Sequence, residues 1–156
     1  MNCDSCAIKN LVYQYADLID RGELRAVAAL FRRGRVIGVD ASGKRNELEG
    51  EESVYGMYES FTRIYPDDGT PHTKHVTTNV MVEVDDDAGT ASARSYAVVF
   101  QSLDDFPIQP IIGVRYADRF ARDGDGWFFT ERQIESDQFG DLSRHLLQSM
   151  GEPQTP

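Results

Sequence analysis

The chain lacks the features of a membrane-spanning, secreted or nucleic-acid-binding protein. No apolar run approaches the ~20 residues that cross a bilayer, and the amino terminus has neither the basic start nor the apolar stretch of a secretory signal. The 16 Lys and Arg residues against 26 Asp and Glu give a formal net charge of -10, a balance that repels phosphates and anionic membranes. These absences predict a cytoplasmic protein with no nucleic-acid or membrane partner.

The chain also lacks the common signatures of metal, phosphate and nucleophile chemistry. Cys3 and Cys6 have the spacing of a metal-binding pair, but no second pair follows, so we interpret them as two thiols at a helix start. The three histidines form no His-x-x-x-His pair. Gly124 and Gly126 lie in a predicted hairpin turn, and no serine has the nucleophile-elbow pattern. The sequence therefore predicts no metal site.

What the chain does contain is enough apolar material for one folded domain, at 156 residues with 40% hydrophobic and 10% aromatic residues. Apolar residues at helical spacing predict two helices in the first 31 residues and a third from Glu51 to Tyr65. From His72 onward the apolar period changes to two. The predicted strands are 35–40, 73–84, 90–103, 111–122 and 127–137, and a short helix is predicted from Leu142.

Helices followed by an antiparallel meander predict an α+β fold in a single domain, with a core at about residues 5–138 and a tail at 142–156. Three helices against one long twisted sheet predict a cone-shaped α+β barrel whose open mouth could take a small-molecule ligand. Apolar residues on the outer face of the sheet predict burial against a second copy of the chain.

One polar histidine is the first candidate for chemistry. Strict alternation in the strand at 73–84 places His75, Thr77 and Asn79 on one face and Val76 with the later valines on the other. Such a polar face on a strand either meets solvent or lines a cavity. His72 follows Pro71 in the preceding loop and is interpreted as exposed.

Asp20 is the second candidate, because it lies at the border of the apolar stripe near the end of the first helix. Its carboxylate could reach inward, or cap the second helix, since Asp20-Arg21-Gly22-Glu23 resembles a capping box. An imidazole titrates near about pH 6.5, and an adjacent carboxylate fixes its tautomer and stabilises its charged form. Together, Asp20 and His75 would form a general base that takes a proton from carbon or water.

Several other side chains could line such a pocket. Tyr15, Tyr96 and Tyr116 are either pocket phenols or structural tyrosines. Arg115 and Arg132 would either orient an anionic substrate or pair with the abundant acidic residues; in so acidic a chain, we favour pairing.

Seven short motifs occur in order along the chain. They are Ile8-x-x-Leu11-Val12-x-x-Tyr15-Ala16, Asp20-Arg21-Gly22-Glu23-Leu24, Ala28-Ala29-Leu30-Phe31, His75-x-x-x-Asn79, Ala91-x-Ala93-x-Ser95-Tyr96, Gly113-x-x-Tyr116-x-Asp118-Arg119-Phe120 and Gly126-Trp127-x-Phe129-x-x-Arg132. This pattern resembles the SnoaL-like branch of the nuclear-transport-factor-2-like superfamily. The resemblance implies a curved-sheet cone, a dimer or trimer, and catalysis by proton transfer without a cofactor.

Within that superfamily, Asp20 and His75 look like the aspartate–histidine dyad of the scytalone dehydratase and hexachlorocyclohexane dehydrochlorinase group. The resemblance also implies Tyr15, Asn79, Tyr116 and Arg132 as substrate-binding residues. We therefore expect a cofactor-independent lyase or isomerase acting on a small, largely apolar, cyclic molecule. Two alternatives are a non-catalytic ligand-binding or assembly module, like the small subunit of a ring-hydroxylating dioxygenase, and a hydrolase that activates water.

Overall fold

The computed structural model describes residues 3–40 and 42–148, in which three helices pack on one sheet. The helices are α1 (Asp4–Asp20), α2 (Leu24–Ala29) and α3 (Gly50–Phe61). The strands are β1 (Arg35–Val39), β2 (Arg45–Glu49), β3 (Thr73–Asp85), β4 (Thr90–Leu103), β5 (Phe106–Asp123) and β6 (Gly126–Phe139). This arrangement confirms the α+β fold class.

The six strands form a single curved, open sheet in the order β2-β1-β6-β5-β4-β3. Every neighbouring pair is antiparallel except β1 and β6, which run parallel because α3 and the meander separate them in the chain. Strands β3 to β6 are 13 to 18 residues long, which gives the sheet room to curl. Strand β3 is an edge strand, so one row of its backbone groups is free of sheet pairing.

The core lies between the helices and the concave face of the sheet. Helix α1 buries residues at helical spacing, including Ile8, Val12 and Tyr15, because its apolar stripe faces the strands. Phe129 of β6 packs against Phe31 and Phe120 with ring centroids 5.1 and 4.6 Å apart. The apolar stripe of α1 and the contacts of Phe31 hold α1 and the turn after α2 against the sheet, and so position the end of α1.

The predicted helices and long strands are confirmed, with three differences. Strand β2 was not predicted, because its segment Arg-Asn-Glu-Leu-Glu is mostly charged and pairs only at the sheet edge with β1. Helix α3 ends at Phe61, since Thr62 is already extended. The predicted tail helix is wrong for residues 142–148, which form turns and a bridge between Leu146 and Thr62. Residues 149–156 of that prediction lie outside the described residues.

The prediction of the two faces of β3 is wrong beyond Thr78. The pairing of β3 with β4 shifts between Thr78 and Met81, where Asn79 has a φ of 54°. This bulge inserts one residue, so Val80 and the later valines of the strand turn inward with His75 instead of away from it. A pattern of strict alternation could not reveal the bulge, since Asn at positive φ is recognised only from the backbone.

The interpretation of Cys3 and Cys6 as free thiols is also corrected. The structure joins them in a disulfide with a Cα–Cα distance of 5.1 Å. Cys3 is the residue that caps α1, and its Sγ accepts a hydrogen bond from the Cys6 amide at 3.2 Å. Asp4 and Ser5 lie inside the first turn.

No helix in the described part of the chain combines the length and the apolar character needed to cross a membrane.

Candidate active site

The two residues predicted to form a general base do meet. His75 lies near the start of β3 and Asp20 is the last residue of α1, 55 positions earlier. The His75 Nδ1 atom is 2.7 Å from Asp20 Oδ1. Both side chains are largely enclosed, with exposed fractions of 7% for His75 and 20% for Asp20. This is the geometry of an imidazole oriented by a carboxylate.

Two further donors hold the Asp20 carboxylate in place. The His75 backbone amide donates to Oδ2 at 2.7 Å, and the Thr73 hydroxyl donates to Oδ1 at 2.7 Å. The amide is available because β3 is an edge strand. The alternative role of Asp20 as a cap of α2 is not seen, since Glu23 occupies that position without a side-chain bond. Asp20 therefore ties the end of α1 to the start of β3.

The local electrostatics favour an ionised Asp20. Burial raises the pKa of its carboxyl, but the hydrogen bonds and charge of His75, with the Thr73 hydroxyl, outweigh burial and leave the pKa below its ordinary value. These donors also offset the unfavourable position of a carboxylate at a helix C-terminus. At neutral pH the carboxylate accepts a hydrogen bond from His75 Nδ1–H, which leaves Nε2 as the proton-accepting nitrogen. Nε2 makes no hydrogen bond within residues 3–40 and 42–148.

Three of the predicted substrate-binding residues form a separate cluster inside the cone. Arg132 is fully buried between the rings of Tyr15 and Tyr116, with its guanidinium carbon 4.1 and 4.2 Å from their centroids. It donates to both carboxylate oxygens of Asp118, at 2.8 and 2.7 Å. The pairing interpretation of Arg132 is thus the one the structure supports. Burial lowers the pKa of Arg132, but Asp118 more than offsets burial, so the net direction is upward.

The phenols of this cluster stay protonated. Burial raises the pKa of Tyr15 and raises that of Tyr116 and Tyr58 well above the ordinary value. The Tyr15 and Tyr58 hydroxyls hydrogen-bond to each other. These side chains occupy the space between α1 and the sheet that the sequence predicts to be hollow. No hydrogen bond joins them to the dyad in the described ranges.

The remaining candidates lie on the surface. Asn79 is exposed at the bulge and does not share a face with His75. Tyr96 is exposed on the outer face of the sheet, and Arg115 pairs with Asp137 at 2.6 Å. The interpretation of His72 as exposed is wrong, because its side chain is 23% exposed and its Nε2 bonds to Asp67 at 3.0 Å, away from Asp20.

Sequence reasoning missed three residues around the dyad. Thr73 was detectable, because period two puts it on the face of His75. Gln101 pairs with Thr73 across β3 and β4 and is 1% exposed. His145 lies in the irregular segment 142–148, where no periodicity indicates its position. The charges of the dyad act on His145. Burial and His75 lower the pKa of His145 to about 4, and Asp20 opposes this shift.

The described residues form two open surface grooves. The larger, of about 860 Å³, runs between α2 and α3. Its lining includes Gly22 and Glu23, which follow Asp20 in the chain, and Leu147, which follows His145 by two positions. Neither member of the dyad lines it. The groove lies next to the end of α1, which carries Asp20, and next to the segment 142–148, which carries His145.

Asp20 and His75 thus meet where α1 ends against the start of β3, on a curved sheet that carries three helices. The sequence profile of the SnoaL-like domain matches residues 3–133, and the chain belongs to this family. No curated protein sequence matches the chain.

Solved structures with low sequence identity share the fold. A nuclear-transport-factor-2-like protein from Novosphingobium aromaticivorans is 20% identical, with a TM-score of 0.70, over 90% of this chain and 86% of its own. A candidate scytalone dehydratase from that organism is 18% identical, with a TM-score of 0.65, over 95% and 93%. The beta subunit of a candidate aromatic-ring-hydroxylating dioxygenase, also from that organism, is 16% identical, with a TM-score of 0.67, over 87% and 90%.

Proposed function

We propose that the chain is a cofactor-independent lyase or isomerase in which the Asp20–His75 dyad acts as a general base. The observation that carries the proposal is the 2.7 Å contact between His75 Nδ1 and Asp20 Oδ1, inside a largely enclosed site. His75 Nε2 would take a proton from a carbon beside an activating carbonyl group. Asp20 would then stabilise the imidazolium through the hydrogen bond that already orients the ring.

The substrate class follows from the surroundings of the dyad. Val99 of β4, the cross-strand partner of His75, is 3% exposed and places an apolar side chain on the same face of the sheet. The similarity to a candidate scytalone dehydratase supports a small cyclic molecule. After proton abstraction, the resulting enolate would either lose a leaving group, as in a lyase, or be reprotonated elsewhere, as in an isomerase.

Deuterium exchange tests the base without knowledge of the natural leaving group. The fused bicyclic ketone 2-tetralone and the simpler cyclohexanone would be incubated with the protein in D₂O, and loss of the α-proton signals would be followed by NMR. We expect catalysed exchange by the wild-type protein and a loss of roughly 10²–10⁴-fold in His75→Gln. His72→Asn is the matched control, because this second histidine lies outside the site and Asn tolerates its φ of 55°.

Two outcomes would contradict the proposed chemistry. One is wild-type exchange no faster than buffer for either ketone. The other is equal exchange by wild type and His75→Gln, with unchanged thermal melting showing that both are folded.

A second candidate function is an assembly module, favoured by the outer face of the sheet. Val76, Met81 and Tyr96 expose 46%, 54% and 46% of their surface there. The dioxygenase beta subunit of similar fold supports this candidate. Sedimentation of the purified chain separates the two, since we expect an enzyme of this class to form a stable dimer or trimer alone. A monomer that assembles only with a larger protein would favour the module.

A further inference from the structure

The segment 142–148 is fastened over the end of α3 on both sides of His145. The Leu147 amide donates to Phe61 O at 2.9 Å, and the Arg63 amide donates to His145 O at 2.8 Å. The Tyr65 hydroxyl donates to Arg144 O at 2.6 Å. Backbone contacts therefore fix where the imidazole of His145 lies.

Gln101 connects this segment to the strand that carries the dyad. It lies on the buried face of β4 directly across from Thr73, whose hydroxyl holds Asp20. The Gln101 Nε2 atom donates to Arg144 O at 3.2 Å and to Pro71 O at 3.0 Å. The chain of contacts from Asp20 through Thr73 and Gln101 thus ends at the residue before His145. His145 is near enough to the dyad for the charges of His75 and Asp20 to act on its imidazole.

Three buried polar atoms at this junction have no partner within residues 3–40 and 42–148. They are His145 Nδ1, Gln101 Oε1 and Nε of Arg63, whose Nη2 donates to Leu146 O instead. A buried polar group without a partner destabilises the fold, so its presence points to a function. Since its pKa lies near 4, His145 is neutral at pH 7 and can donate one hydrogen bond. The amide oxygen of Gln101 accepts only. One donor beside one acceptor suits a hydroxyl group.

We propose that His145 and Gln101 form an oxygen-binding subsite that holds the substrate oxygen next to the carbon deprotonated by His75. This inference rests on the proposed function. His75 Nε2 takes the α-proton, the C–H electron pair forms the enolate C=C bond, and negative charge moves to the former carbonyl oxygen. His145 donates a hydrogen bond to that oxygen, and Gln101 Oε1 accepts a hydrogen bond from the hydroxyl when a neutral enol or phenol binds in its place. The proton then returns from His75 to carbon, which regenerates the ketone.

Binding of 2-naphthol tests the subsite directly, because this planar phenol resembles the enol of 2-tetralone and its hydroxyl both donates and accepts. We expect His145→Leu to weaken 2-naphthol binding about tenfold, as loss of one buried hydrogen bond does. We expect the same variant to slow 2-tetralone exchange by about 10²-fold, as loss of an oxyanion donor does. His145→Gln keeps a donor and should restore part of both.

Two controls separate the imidazole from the segment that carries it. Tyr65→Phe removes a fastening of the segment without altering His145, and His72→Asn removes a histidine outside the site. His72→Asn should leave binding and exchange within about twofold of wild type. Tyr65→Phe keeps the imidazole and the backbone hydrogen bonds of the segment, so it should lose less of both than His145→Leu does. An equal loss in Tyr65→Phe and His145→Leu would overturn the inference, because displacement of the segment would then explain the effect.

The outcomes distinguish this inference from the proposed function. If wild type binds 2-naphthol but exchanges neither ketone, the base proposal fails, and the His145 variants still test the subsite by binding. If exchange depends on His75 but His145→Leu retains both activities, the subsite alone is wrong. Wild-type protein that does not bind 2-naphthol also overturns the subsite.

Discussion

The buried imidazole of His145 makes the stability of the protein sensitive to mild acid. In the unfolded chain this group has its ordinary pKa of 6.5, whereas burial and the charge of His75 lower the pKa to about 4 in the folded state. Between these values the unfolded state binds the extra proton and the folded state does not. The free energy of unfolding therefore falls as the pH falls through this window.

The size of the effect follows from the two pKa values. Between pH 7 and pH 5, protonation of the unfolded chain at this site costs the folded state about 2 kcal/mol, at about 1.4 kcal/mol per pH unit below pH 6.5. Carboxylates with lowered pKa values, such as Asp20, contribute at lower pH, where their unfolded forms begin to take up protons. The difference between wild type and His145→Leu over the interval from pH 7 to pH 5 consequently isolates this histidine, because the other two histidines are common to both proteins.

Urea unfolding at pH 7 and pH 5, followed by the fluorescence of the single tryptophan, Trp127, measures this difference. Both pH values lie above the isoelectric point of about 4.7 that follows from the sequence. We expect the loss of stability between them to be about 2 kcal/mol smaller in His145→Leu than in wild type. His72→Asn should keep the wild-type difference. The same pH dependence in wild type and His145→Leu would refute the assignment of a buried neutral imidazole.

Two further predictions concern the scaffold of the site. Asp118→Asn leaves the charge of fully buried Arg132 without its counter-ion and should destabilise the protein by about 3–5 kcal/mol in urea unfolding; a loss under about 1 kcal/mol would contradict this reading of the pair. Gly22→Ala should lower the melting temperature more than Gly43→Ala, which is the matched control. Both glycines have a positive φ, but only at Gly22 would a Cβ meet backbone, 2.1 Å from Gly69 O. Equal melting temperatures for the two variants would disprove the close approach.

Residue patterns predicted the parts of the fold that depend on regular spacing. The stripe of α1 and the alternation of β4 to β6 follow directly from burial of one face. The sequence could also pair Asp20 with His75, because both are polar residues at the borders of apolar faces. The resemblance to the SnoaL-like motifs added the expectation that a cone-shaped sheet surrounds the two residues.

The remainder depends on backbone detail and on long-range contacts. The bulge at Asn79 shifts the register without a change in composition, so the inward-facing valines were assigned to the wrong face. His145 is placed by hydrogen bonds to Phe61, Arg63 and Tyr65, none of which leaves a local pattern. The closeness of Arg132 to two tyrosines likewise arises only when β5 and β6 pair under α1.

The bulge divides β3 into two halves that can change independently. In the first half Thr73 and Thr77 share the inward face with His75, while Val80, Val82 and Val84 support the core beyond the extra residue. Side chains in the first half can vary in size or polarity without moving the second half into a new register. A library confined to positions on the first half should therefore retune which molecules are accepted while most of its members still fold.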